Sequence, residues 1–130
     1  MKEIITAAQS VRENAYAPYS KFKVGAAVLT KNGKIYTGCN VENASYGLCN
    51  CAERTAIFKA VSEGERDLVT IAVIADTPSP VAPCGACRQV MIEFGIKQVI
   101  MCNLHGEQSV IALEELLPYS FGKKHLSGEI

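Results

Sequence analysis

The chain has 130 residues, with 13 basic and 13 acidic side chains for a formal net charge of +0, 48% hydrophobic and 20% charged residues, and no tryptophan. That composition argues for one folded domain over residues 1–130, able to bury a core without cross-links, and against a disordered chain. Zero net charge and the lack of a long basic run argue against a polynucleotide partner and for a small, uncharged one.

Ile4, Ala8, Val11 and Ala15 recur at helical spacing, so residues 2–15 are expected to form an amphipathic helix ended by Pro18. Residues 22–30 and 34–39 are apolar-rich runs joined by Lys31-Asn32-Gly33-Lys34, whose Asn-Gly pair predicts a tight type I′ hairpin. Lys21, Lys23, Lys31 and Lys34 fall on either side of that hairpin and are expected to be a solvated face. Residues 40–50 have no clear period and are expected to be a loop. Ala52, Ala56, Ile57, Ala60 and Val61 make a helical stripe closed by Gly64.

Residues 69–75 are almost wholly apolar, as in a strand buried on both faces. A loop with three prolines follows over residues 77–83. Cys87, Val90, Met91 and Phe94 give another helical stripe, closed by Gly95. Residues 99–102 are expected to be a buried strand, 110–112 a short edge strand after a turn at His105-Gly106, and 113–117 a short helix. Strand–helix–strand units with short links imply parallel pairing and right-handed crossovers. The expected fold is α/β, a three-layer α/β/α arrangement around one mixed five-stranded sheet. Ligands of such sheets sit beyond the carboxyl ends of the strands. Cys51 and Cys84 both fall where loops from those ends enter helices.

The first fifteen residues contain Glu3, Arg12 and Glu13 and lack the apolar stretch of a signal peptide. No run approaches the roughly 20 apolar residues that span a bilayer. No membrane partner and a cytoplasmic location are therefore expected, and there six cysteines are free or metal-bound rather than paired.

The motif Cys51-Ala52-Glu53 is followed, thirty residues after the glutamate, by Pro83-Cys84-Gly85-Ala86-Cys87. Thiolates at helix N-termini are stabilised by unpaired N–H groups and by the helix dipole. Cys87 lies one turn beyond Cys84, so both sulfurs share a face. Cys51, Cys84 and Cys87 can thus hold one Zn²⁺ per chain and leave its fourth position for water. Glu53 is then placed to move protons as general acid and base. Three thiolates and Zn²⁺ sum to −1, which Arg54 can offset; Arg88 is a weaker candidate for the same task. Two other readings stand beside this one. Cys49 could complete a structural four-cysteine site, or Cys84 and Cys87 could form a redox pair. Cys39 and Cys102, and Cys49 if it is no ligand, are expected to be small buried hydrophobes.

At these residues the sequence resembles the zinc-dependent nucleoside deaminases, whose signature is a His or Cys followed by x-E and then P-C-x-x-C. The resemblance extends to Ala17-Pro18-Tyr19-Ser20-Lys21-Phe22-Lys23-Val24-Gly25-Ala26-Ala27, Gly38-Cys39-Asn40-Val41-Glu42-Asn43-Ala44, Cys51-Ala52-Glu53-Arg54-Thr55-Ala56 and Pro83-Cys84-Gly85-Ala86-Cys87-Arg88-Gln89-Val90. These stretches look like small bacterial cytidine deaminases.

The resemblance implies the cytidine deaminase-like fold and a homotetrameric enzyme of pyrimidine salvage. Its reaction would be hydrolysis of cytidine and 2′-deoxycytidine to the uridines and ammonia. It further implies that Phe22 packs on the pyrimidine, that Asn40 and Glu42 hold ribose hydroxyls, and that the Ala52 backbone and Glu53 read the base edge. Phe121 would reach a neighbouring subunit's site. Tyr46 joins the substrate-binding set, although its chemistry alone singles it out no more than that of His105 or His125.

Overall fold

The computed structural model describes residues 1–128. Its sheet has five strands, β1 (Val24–Thr30), β2 (Ile35–Cys39), β3 (Leu68–Ala75), β4 (Gln98–Asn103) and β5 (Gln108–Ala112), in the order β2-β1-β3-β4-β5. Only β3 and β4 pair in parallel; β1 is antiparallel to both β2 and β3, and β5 is antiparallel to β4. The expected mixed five-stranded sheet is therefore present. Its parallel pairing is confined to one strand pair, because β1 returns between β2 and β3.

Helix α1 (Lys2–Arg12) covers one face of the sheet, where Ile4 and Ala8 pack with Ala27, Ala72, Ile74, Ile100 and Cys102. Helices α2 (Ala52–Ser62) and α3 (Gly85–Glu93) cover the other, around Ile57, Ile71, Met91 and Val99. Each such fully buried aliphatic side chain contributes about 1.5–3 kcal/mol by leaving water. The two faces make the three-layer arrangement expected from the strand–helix alternation. α4 (Leu113–Leu116) and α5 (Lys123–Ser127) end the described chain.

Two glycines let the layers approach. A Cβ on Gly38 in β2 would lie 2.3 Å from the backbone nitrogen of Ala56 in α2. A Cβ on Gly25 in β1 would lie 2.0 Å from the Ala8 carbonyl oxygen in α1. Both distances are inside van der Waals contact, so only glycine fits.

Three local expectations differ from the structure. α1 stops at Arg12 rather than residue 15, well before Pro18. Asn14 and Ala15 close its end with tighter bonds to Val11 and Arg12, and Tyr16 is drawn into a bridge with Val41. The hairpin is not type I′, which needs two residues with positive φ. Gly33 alone turns left-handed, at φ 87°, while Gly33 N–H donates to Thr30 O and Thr30 N–H to Lys34 O. That is a type I turn followed by a glycine bulge. The third difference is α5, which has no sequence signal because Lys123, Lys124 and His125 show no apolar period.

β2, β3 and β4 all run in one direction, so Cys39, Ala75 and Asn103 end at the same edge. The chain leaves β2 for α2 and β3 for α3 at that edge. Both cysteine motifs are delivered there.

Candidate active site

Cys51 is the N-cap of α2 and Cys84 the N-cap of α3, with nearly equal backbone angles of φ −72°, ψ 154° and φ −72°, ψ 169°. Each carbonyl accepts the first bond of its helix, from Thr55 N–H at 3.1 Å and Arg88 N–H at 3.0 Å. The N–H groups of both first turns point toward the sulfurs' end of the helices. Such ends favour thiolates.

The sulfurs of Cys51, Cys84 and Cys87 all lie within 4.8 Å of one another, and those of Cys51 and Cys84 are 3.8 Å apart. A zinc–thiolate bond of about 2.3 Å gives a tetrahedral edge of about 3.8 Å, so this donor set fits zinc. Cys49 is outside the cluster: its sulfur exchanges hydrogen bonds with the Asn43 backbone at 3.3 and 3.6 Å. All six cysteines are free. Three sulfurs without a fourth leave one coordination position open, which a structural site would fill.

The Cys87 thiol donating to Cys51, with Arg54 beside them, lowers the Cys51 pKa to about 5. The same contact with the Cys51 thiolate pushes Cys87 up. Arg54 Nη2 donates to Cys51 Sγ at 3.2 Å. The Arg54 Nε is buried with no partner among the described residues. Arg88 faces elsewhere. Its guanidinium donates to the carbonyls of Pro83 at 2.9 Å and Leu116 at 2.7 Å, which fixes the start of α3 rather than the charge of the thiols.

A cavity of about 260 Å³ opens over the cluster, with Cys51, Ala52, Glu53 and Cys84 on its floor side and Phe22, Asn40 and Glu42 on its rim. Glu53 is 4% exposed. Burial pushes its carboxyl up to about 7, with a smaller push from the Cys51 thiolate. A carboxyl poised there can both take and give protons near neutral pH. Asn40 donates from Nδ2 to Phe22 O and accepts the Val24 N–H at Oδ1, both at 2.8 Å. Glu42 accepts the N–H groups of Tyr19 and Ser20 at 3.0 and 3.1 Å and the Ser20 hydroxyl. These donors, the hydroxyl first, hold its carboxyl below its ordinary pKa.

A family model described as the cytidine and deoxycytidylate deaminase zinc-binding region matches residues 1–103. The chain belongs to the cytidine and deoxycytidylate deaminase family. Among its deaminase relatives is a cytidine deaminase of Halalkalibacterium halodurans, 58% identical over 91% of this chain and 91% of the relative. A cytidine deaminase of Sporosarcina psychrophila is 52% identical over 98% of this chain and 95% of the relative. The crystal structure of cytidine deaminase from Burkholderia pseudomallei superposes with a TM-score of 0.89 at 56% identity, covering 92% of this chain and 98% of that one. The α/β fold is thus that of cytidine deaminases, and the family's metal is zinc.

Against that deaminase frame, two residues expected at the site lie outside the cavity of their own chain. Tyr46 is 72% exposed and packs its ring near Tyr19, at 6.0 Å between centroids. Phe121 stacks on His125 at 5.2 Å, with its carbonyl held by Gln89 Nε2 at 2.7 Å. Neither residue lines the cavity of this chain. Conversely, Asn50, Val73, Val81 and Ala82 line the cavity without having been singled out. Asn50, Val81 and Ala82 each lie within two residues of a motif, and that adjacency was their available signal. Val73 sits mid-strand and offered none.

Proposed function

We propose that the chain hydrolyses cytidine and 2′-deoxycytidine to uridine and 2′-deoxyuridine, releasing ammonia. The observation that carries this is a buried carboxyl, Glu53, lining one cavity with Cys51 and Cys84, two of the three clustered thiols that could hold one zinc per chain. Zinc held by Cys51, Cys84 and Cys87 would supply a water acidified toward about pKa 7, an effect weakened by three thiolates. Glu53 would take one proton from the attacking water and deliver it to ring N3 while the water oxygen bonds to C4. It carries a proton again as the amino group leaves.

Phe22 packs against the pyrimidine, and the Ala52 backbone with Glu53 reads the base edge. Asn40 and Glu42 hold the ribose hydroxyls. Arg54 offsets the surplus negative charge of the thiolates. Residues 1–130 act as one catalytic domain in a homotetramer, in which Tyr46 and Phe121 contribute to sites completed across subunits. The setting is cytoplasmic pyrimidine salvage, with no nucleic acid or membrane as partner. Among the described residues, no helix is long and apolar enough to cross a membrane.

The test is direct. Zinc-loaded protein incubated with cytidine is expected to give the uridine absorbance change and one ammonia per base. Zinc-loaded protein that leaves cytidine unchanged would rule the reading out.

A further inference from the structure

The aromatic rim and the polar rim of the cavity belong to one hydrogen-bond network. The Phe22 N–H donates to Ser20 Oγ at 3.0 Å, and that hydroxyl donates in turn to Glu42 Oε2. The other Glu42 oxygen accepts the Tyr19 and Ser20 N–H groups. On the far side of the same residue, the Phe22 carbonyl accepts from Asn40 Nδ2 at 2.8 Å. The main chain of Phe22 is therefore held at both its donor and its acceptor. Each hold leads to a polar side chain that lines the same cavity.

Lys21, between Ser20 and Phe22, has φ 62°, a left-handed conformation that residues with a Cβ seldom adopt. Such a conformation persists where its surroundings over-determine it. Here the surroundings are the Glu42 carboxylate gripping residues 19 and 20, and the Lys21 N–H donating to Ala17 O at 3.0 Å. A serine is suited to the junction because one hydroxyl can accept from a backbone N–H and donate to a carboxylate at once. Alanine at position 20 would keep the two backbone N–H bonds to Glu42 and lose both hydroxyl bonds.

We propose that Ser20 is a positioning residue that couples the sugar-facing Glu42 to the aromatic wall of Phe22, whose carbonyl Asn40 holds directly. This rests on the reading of the cavity as a nucleoside site. A sugar hydroxyl that engages Glu42 then also sets the angle of the ring beneath the base. Recognition of the two halves of the substrate becomes cooperative, and Ser20 is the joint between them.

The experiment compares zinc-loaded wild type, Ser20→Ala and Ser20→Thr on cytidine and on 2′,3′-dideoxycytidine, which lacks both ring hydroxyls. Losing a hydrogen bond to a charged group implies a rise in KM for cytidine of about tenfold in Ser20→Ala. kcat should stay within about twofold and zinc content should not change, since Ser20 takes no part in proton transfer and bonds none of the thiols. The loss on 2′,3′-dideoxycytidine should be smaller, about threefold, because Glu42 has no hydroxyl to hold there. Ser20→Thr, which keeps the hydroxyl, should restore most of the affinity. An unchanged KM for cytidine, or equal losses on the two nucleosides, would overturn the coupling while leaving the deaminase reading intact. A wild type that turns over neither nucleoside overturns that reading and the coupling with it.

Discussion

Glu53 and Cys87 are 4% and 0% exposed, whereas Tyr119, Phe121 and Leu126 stand 105%, 57% and 82% exposed at the end of the described chain. The first region is finished by its own chain: two helix N-termini, three sulfurs and one carboxyl meet at the carboxyl ends of β2 and β3. The second presents large apolar side chains to solvent, as does the loop carrying Tyr46 and Leu48, at 72% and 69%. Chemistry here needs fixed distances, and those come from short motifs on rigid elements. Apolar surface of this extent instead asks for a partner surface, and the proposed tetramer supplies one. The difference separates what one chain can do from what assembly adds.

The sharpest way to break that comparison is to remove the proton carrier alone. Glu53→Ala should keep one zinc per chain and lose about 10⁴-fold in turnover, since one carboxyl serves several transfers. Metal analysis and kinetics on a single preparation check this, and near-normal turnover would remove Glu53 from the mechanism. Cys84→Ala should lose zinc while keeping its circular dichroism, because Cys84 is exposed and outside both cores. A full equivalent of zinc in that variant would strike Cys84 from the ligand set.

The other region is tested by Phe121→Ala, which should weaken assembly by about 2 kcal/mol if the ring is an interface anchor. Sedimentation would show smaller species at low concentration, with the thiol cluster still able to take zinc. Unchanged assembly and activity would detach Phe121 from any site. Arg54→Ala should reduce turnover about tenfold, by leaving the Cys51 thiolate without its cation. Unchanged kinetics and zinc affinity would refute the charge-balancing role.

A separate test concerns stability rather than activity. In zinc-free protein the Glu53 carboxyl is raised from 4.5 to about 7 by burial. Below pH 4.5 it is protonated in both folded and unfolded chains, and burial carries no charge penalty. As pH rises from there toward 7 the unfolded chain loses the proton first, so the folded state loses stability, in full above about 7. Glu53→Gln should therefore stabilise zinc-free protein by up to about 3 kcal/mol at pH near 8 and by nearly nothing near pH 4. Equal denaturation midpoints for the two proteins at both pH values would contradict the burial argument.

The thiol cluster was legible in the sequence because its information is local. Cys51 to Glu53 and Cys84 to Cys87 are set by helical spacing, and the apolar runs of β2 and β3, which lead into α2 and α3, place both helix starts at one edge. The rim was legible only through resemblance. Asn40, Glu42, Ser20 and Phe22 come together through the Tyr16–Val41 and Val41–Asn50 bridges, which join residues far apart in the chain and leave no periodicity. The hairpin turn was misread because Asn-Gly serves both a two-residue turn and a three-residue one with a glycine bulge. Which of them forms depends on how β1 and β2 register. α5 escaped because an exposed polar helix has no stripe to detect.

The most direct measurement strips the metal with a chelator and returns zinc in steps while cytidine turnover is followed. The account predicts that activity vanishes with the metal, returns in proportion to zinc added and levels off at one per chain. Full turnover by stripped protein, or no recovery at one zinc per chain, would contradict it.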